Sequence, residues 1–385
     1  MDNLTHSLIG LTAAKAGLEK LSPGATVLCV LAANAPDADI ITGLLGDRWI
    51  YLRHHRGITH SIVGALAIAI ALPLIFYLVD LLVARIRKRP PSTKLVGLLI
   101  ASLIATATHP LMDWTNNYGV RPLLPWSPQW FYGDFVFVID PVLWLTLGGA
   151  AFLLTAYNAK KIAVWLLLAG VLTFLVFFGP TRQGGLGNPT LLRVVWIIAL
   201  VVLVILFWRK VGRRWKHKVA IAAFVIVVAY LAGLYMLHGM AMKQALREAA
   251  MISVDNSERI VDVAAMPVLA NPFNWLCVVE TDRAAYKFTL SLADSRGRRN
   301  EVRYDRPELI NPHALAQAKA DRRTPFFMEF ARFPIARIVG EDCTTRTLVQ
   351  FADLRYTEPG ENRGTFALEV PVECPAQLTT RNEQR

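Results

Sequence analysis

Over its first 240 residues the chain alternates long apolar runs with short polar joints, and then the rhythm changes. Residues 61–83, 95–113, 135–156, 162–178, 191–208 and 219–237 are nearly uninterrupted in apolar character. Each approaches or exceeds the roughly 20 residues a helix needs to cross a bilayer. Two weaker runs precede them, 4–17 and 25–41, the first short for a full span. Past residue 241 the apolar positions fall in short alternating stretches: 259–265, 275–280, 286–292, 347–354 and 365–372. Turn residues such as Asn271-Pro272, Asp294-Ser295-Arg296-Gly297 and Glu358-Pro359-Gly360 separate them. A period of two bounded by turn signals predicts strands, and 311–321 reads as one helix. The expected fold is an all-α polytopic membrane bundle of about eight membrane helices. A small mixed, mostly β extracytoplasmic domain follows it. The two domains are residues 1–240 and 241–385.

Composition agrees: 54% of the 385 residues are hydrophobic, too many for a soluble enzyme of this size. The net charge of +12 would suggest nucleic acid on a soluble chain. Here the cations gather in the joints RIRKRPPSTK (85–94), NAKK (158–161) and RKVGRRWKHK (209–218). That distribution is a topology signal, and nucleic acid is excluded as an expected partner. With these three joints cytoplasmic, the spans alternate without conflict. The stretches 114–134 and 181–190 then lie outside, with Trp114, Trp126 and Trp130 at the outer interface, and the tail is extracytoplasmic. The N-terminus lacks the basic region and cleavage site of a secretory signal and is expected to be retained. Cys277, Cys343 and Cys374 lie in the tail and Cys29 in a membrane segment. One pair of the three tail cysteines could bridge in an oxidising compartment; no C-x-x-C motif is present.

Three apolar segments open on Thr-His: THSLIG (5–10), THSIVG (59–64) and THPLMD (108–113). APDAD (35–39) ends another, and HHRGITH (54–60) concentrates three imidazoles and a guanidinium. Taken singly, each motif has a plainer reading, as interfacial histidines at lipid headgroups or as solvated loop carboxylates. The topology changes that weighting. It was drawn from lysines and arginines alone, yet His6, Asp37, Asp39, His54, His55, His60, His109 and Asp113 all fall toward the outer face. Thr59 is expected to cap the helix that follows, with His60 in its first turn. His109 and Asp113 are four apart and share one helix face, with Pro110 between them. Imidazoles mixed with carboxylates suit zinc or manganese, in a centre of one or two ions. Such a centre makes hydroxide available near neutral pH for attack on phosphorus. Arg56 is expected to hold the phosphoryl group, and Asp39 and His54 to serve in acid–base catalysis.

In order and spacing these motifs resemble the membrane-bound metal-dependent hydrolase family, YdjM-like. The resemblance rests on THS at 5–7, PDAD at 36–39, HRGITHS at 55–61 and HPLMD at 109–113, and it covers about the first 120 residues. It implies a multi-pass protein of a bacterial-type inner membrane with a hydrolase site. The implied metal ligands are His6, Asp37, Asp39, His55, His60, His109 and Asp113. The motif order is also similar to that of zinc-dependent phospholipase C, although the ligating N-terminal tryptophan and the later H-x-x-x-E of that family are missing. The expected activity is hydrolysis of a phosphoester, a lipid or envelope precursor diffusing in the bilayer. Two other readings stand beside it: a non-catalytic assembly or sensor protein with a structural metal, and a transporter.

Overall fold

Small residues bring the first helices together. The computed structural model describes residues 1–44, 46–179, 189–294, 297–306, 312–339, 347–361 and 366–372. Helix α1 (Asn3–Ala16) packs against α2 (Ala25–Asn34), which packs against α5 (Leu95–Trp114). Ala14, Ala25, Ala32, Ala33, Ala101 and Ala105 line these contacts around Leu28 and Leu98. A Cβ on Gly10 would stand 2.5 Å from the Cys29 carbonyl oxygen, and one on Gly97 2.3 Å from that of Leu21. Close backbone approach through small side chains is how helices associate where lipid supplies no hydrophobic drive. The other side of α1 sends Leu8 and Ile9 into a second core. Leu143, Leu147, Leu172, Trp196 and Val227 complete that core, from α6 (Pro141–Thr155), α7 (Ala159–Phe178), α8 (Pro189–Trp208) and α10 (His217–Asn256). Apolar on both sides, α1 is a buried helix.

Among the described residues, six helices are long and apolar enough to cross a membrane. They are Ala25–Leu44, Ile62–Ile86, Leu95–Trp114, Ala159–Phe178, Pro189–Trp208 and His217–Asn256, the first being α2 with its 3₁₀ extension and the second α4. The other two expected spans are shorter helices, α1 with 14 residues and α6 with 15. Helix α6 starts at Pro141 and not at 135, because Asp140 caps it by accepting the N–H groups of Val142 (2.8 Å) and Leu143 (3.2 Å). A five-residue helix, α9 (Val211–Trp215), forms inside the last basic joint. Of the outer loop expected at 181–190, residues 181–188 lie outside the described residues.

The chain divides into two compact units. The first is Met1–Asp39, Arg56–His238 and Pro267–Asn274; the second is Ile40–His55, Gly239–Met266 and Trp275–Arg385. The expected boundary at 240 falls inside the 40-residue α10. In the second unit α3 (Arg48–His54) packs on α12 (Thr324–Phe330), with the Arg53 guanidinium 5.4 Å from the Phe326 ring centroid.

The tail carries two antiparallel sheets. One has the order β1 (Ile260–Val268), β2 (Asn271–Thr281), β3 (Ala284–Ser291), β4 (Arg299–Asp305). The other has the order β5 (Pro334–Val339), β6 (Thr347–Asp353), β7 (Ala367–Val372). Met266, Val278, Ala285, Phe333, Ile335 and Leu354 join them in one core. The five strands expected from alternation correspond to β1, β2, β3, β6 and β7, and the expected helix is α11 (Pro312–Lys319). Cys277 is buried and free, whereas Cys343 and Cys374 lie outside the described residues.

Candidate metal centre

Three elements deliver the four groups of the centre. Asp37 sits on the 3₁₀ turn (Ala35–Leu44) that ends α2, His60 on the turn Ile58–His60 before α4, and His109 and Asp113 on the last turns of α5. The two glycines echoed in the THSxxG motifs permit this. Gly10 lets α1 lie on α2, and a Cβ on Gly64 would stand 1.8 Å from the Ile58 carbonyl oxygen, so only glycine lets that turn fold onto α4. The N-cap of α4 is Ser61, which accepts the Gly64 N–H at 3.1 Å, and not Thr59 as the sequence suggested. His60 therefore precedes the helix. Helix α5 continues through Pro110, so His109 and Asp113 keep their shared face.

The ligating atoms converge. His60 Nε2 lies 3.2 Å from Asp37 Oδ1, 3.3 Å from Asp113 Oδ2 and 3.1 Å from His109 Nε2. His109 Nε2 lies 3.4 Å from Asp37 Oδ1 and 3.5 Å from Asp113 Oδ2. Atoms at the corners of a tetrahedron with zinc-like bonds stand about 3.3–3.4 Å apart. The side chains of His60, His109 and Asp113 are 0%, 0% and 1% exposed, and that of Asp37 is 11% exposed. Two imidazole nitrogens facing each other between two carboxylates satisfy one another poorly, and Asp113 Oδ2 makes no hydrogen bond. A divalent cation would satisfy all four, so the donor set fits one. The cluster can hold a metal ion.

Around it, a second layer fixes each ligand. His109 Nδ1 is 2.6 Å from the Ala33 carbonyl oxygen, which holds its proton there and leaves Nε2 to face the centre. His60 Nδ1 faces Thr59 Oγ1 (3.0 Å) and Asp39 Oδ2 (3.4 Å). Asp39 itself accepts the Arg56 backbone N–H at 3.0 Å. Arg56, in the left-handed region at φ 53°, sends Nη2 to within 3.1 Å of Asp113 Oδ1. Its Nη1 donates to Asn116 Oδ1 and the Gly119 carbonyl, each at 3.0 Å, and its guanidinium lies 4.5 Å over the Tyr118 ring. His6 stacks on His109 with centroids 3.7 Å apart and brings Nε2 to 3.4 Å from Asp113 Oδ1. Neither ring nitrogen of His6 makes a hydrogen bond. The Met1 amino group also reaches Asp113 Oδ1.

The structure thus gathers His6, Asp37, Asp39, Arg56, His60, His109 and Asp113 in one unit. His54 and His55 belong to the other unit, where His54 ends α3 and His55 stacks on Tyr51 at 4.8 Å. Sequence reasoning did not find Asn116, Tyr118 or the Ala33 carbonyl. The first two are single letters in an irregular loop, and the third is backbone, which no residue type announces.

Residues 1–184 match the model of the family described as YdjM inner membrane protein. The uncharacterized protein YfhP of Bacillus subtilis (strain 168) is 29% identical over 38% of this chain and 44% of its own length. The inner membrane protein YbcI of Escherichia coli (strain K12) is 26% identical over 40% of this chain and 80% of its own. The chain thus spans less than half of YfhP. No solved structure matches.

Proposed function

We propose that this multi-pass protein, YdjM-like over its membrane region and belonging to the inner membrane, is a metal-dependent hydrolase of phosphoesters. The observation that carries the reading is the convergence of Asp37, His60, His109 and Asp113 inside the bundle. Those four would hold zinc or manganese. When bound, such an ion supplies a nucleophile at neutral pH and neutralises charge on a phosphoryl oxygen. The chain's own residues do the rest. Asp39 and Thr59 hold the His60 ring, and the Ala33 carbonyl holds that of His109. Arg56 balances the buried Asp113 carboxylate; with Nη1 on Asn116 and Gly119 and Nη2 on Asp113, it acts as a positioning residue. His6, stacked beside the centre with Nε2 facing Asp113 Oδ1 at 3.4 Å, is placed to move a proton. Asp37, the most exposed of the four ligands, marks the side where substrate enters. A lipid-borne phosphoester of the outer leaflet would reach it by lateral diffusion, because the basic joints assign the opposite helix ends, and by alternation not the tail, to the cytoplasm.

One observation favours a second reading. Four protein ligands can close a tetrahedral site, as in structural zinc centres. The two readings part in one experiment on protein purified with its metal. Elemental mass spectrometry should give about one ion per chain, lost in His60→Ala and Asp113→Ala. Phosphodiester turnover should appear in wild type and fall by about 100-fold or more in His6→Ala with metal retained. Stoichiometric metal without turnover on any lipid or soluble phosphoester would give the site to the structural reading. A folded wild type that takes up no zinc or manganese would end both.

A further inference from the structure

We propose that the other end of the bundle, where α6, α8 and α10 meet around α9, is a binding site for one anionic diacyl phospholipid. This end is remote from the metal cluster. Helix α6 begins beside Asp2, whose carboxylate takes the Trp144 indole N–H at 3.1 Å, and it runs away from there to Thr155.

Two cavities open at that end, one running down between the helices and one confined to their last turn. One, of about 560 Å³, is lined by Leu145, Leu203 and Ala222 and finishes at Trp215 and Lys218. The other, of about 400 Å³, is lined by Leu154 and Phe207 and finishes at Tyr157, Lys210 and Arg213. Leu153 walls both, and α9 stands between their mouths. The position of α9 is fixed by backbone contact: a Cβ on Gly212 would stand 1.9 Å from the Leu153 carbonyl oxygen. Lys210 and Lys216, flanking α9, both have left-handed φ angles (54° and 46°), so the chain turns sharply into and out of this stub.

The charge at the mouths is unbalanced. Lys15 has Glu19 at 2.6 Å and Arg89 has Asp80 at 2.6 Å. In contrast, Lys210, Arg213, Arg214, Lys216 and Lys218 have no carboxylate partner among the described residues. Trp208 and Trp215, 76% and 53% exposed, sit at the same level, where indoles anchor at a membrane interface. A cationic mouth over one long apolar groove and one shallower, mostly apolar pocket is complementary to one ligand chemistry. A phosphodiester headgroup lies on Lys210 and Arg213, and one acyl chain runs along each side of α9. Basic pockets between membrane helices recognise anionic lipids in this way.

The test compares phosphatidylglycerol with phosphatidylcholine, titrated into detergent-purified protein and read by native mass spectrometry and by Tm. Wild type should retain phosphatidylglycerol and gain Tm from it, and phosphatidylcholine should do neither. Lys210→Gln/Arg213→Gln should weaken retention on the order of tenfold. Ala222→Leu, which fills a groove and leaves every charge in place, should weaken it as well. Arg85→Gln/Arg87→Gln, in the first of the three basic joints, should leave it unchanged. Equal loss in both arginine-containing double variants would reduce the effect to diffuse electrostatics and overturn the site. So would equal retention of the two lipids, or full retention in Ala222→Leu.

Discussion

Asp113 divides its work between its two oxygens. Oδ2 faces His60 and His109, while Oδ1 faces Arg56 and His6. Removing its charge in Asp113→Asn should therefore cost the metal outright. Arg56→Lys keeps a charge but loses the planar fork that reaches Asn116, Gly119 and Asp113 together. It should weaken metal binding by about 10–100-fold, the usual scale for a group one shell out. Asp39→Asn, which leaves all four ligands in place, should do the same. Competition against a chromogenic chelator measures all three, and unchanged affinity in Asp39→Asn would show that Thr59 alone holds His60. Much of this centre was legible in the letters, because buried metal sites need His and Asp and an apolar bundle contains few of either. What the letters hid was division of labour. Arg56 read as a phosphoryl clamp, and its partners became visible only when the loop carrying Asn116 and Gly119 was seen to fold over it.

At the scale of elements, the repeated THSxxG is one string in two structures. His6 lies inside the α-helix α1, whereas His60 lies on a 3₁₀ turn ahead of α4. The shared feature is the glycine, which in each case admits a neighbouring backbone. Gly64→Ala should destabilise the fold by about 1–3 kcal/mol or more and release the metal, because the His60 turn must shift. Gly170→Ala, with nothing within 4 Å of its would-be Cβ, should be neutral in the same thermal and metal assays. The membrane helices were readable because a bilayer demands long apolar runs. In the tail, β4 (RNEVRYD) escaped notice since it is an edge strand, mostly exposed and without apolar alternation. Helices α3 and α12, seven residues each, are too short to display a helical period, and β5 has only six residues.

For the molecule as a whole, an ion held in the proposed centre and the tail would give separate handles on stability. Chelation should lower Tm, since a ligand bound a thousandfold above its Kd contributes about 4 kcal/mol to the folded state. Refilling with zinc should restore it. In the tail, burial pushes the Cys277 thiol well above the ordinary thiol range, and Glu248 adds to the shift. The folded protein should thus leave Cys277 unalkylated even at pH 9, in peptide-resolved labelling, until the tail unfolds. The sign of the linkage follows: only the unfolded chain can ionise this thiol readily. Its contribution is fully present below the ordinary thiol range and is lost progressively as pH rises from there toward the raised value of the folded state.

The Ala33 carbonyl that orients His109 has a consequence for how such a centre drifts over evolutionary time. Every amino acid offers the same carbonyl, so substitution at position 33 is policed for bulk and not for chemistry. Length is another matter. Deleting one residue between Gly24 and Ala33 would turn the acceptor by about 100° around α2 and hand His109 a different neighbour. Part of the instruction for binding a cation is therefore written as a residue count. Lineages that keep the function should tolerate many letters in this helix while forbidding insertions and deletions within it.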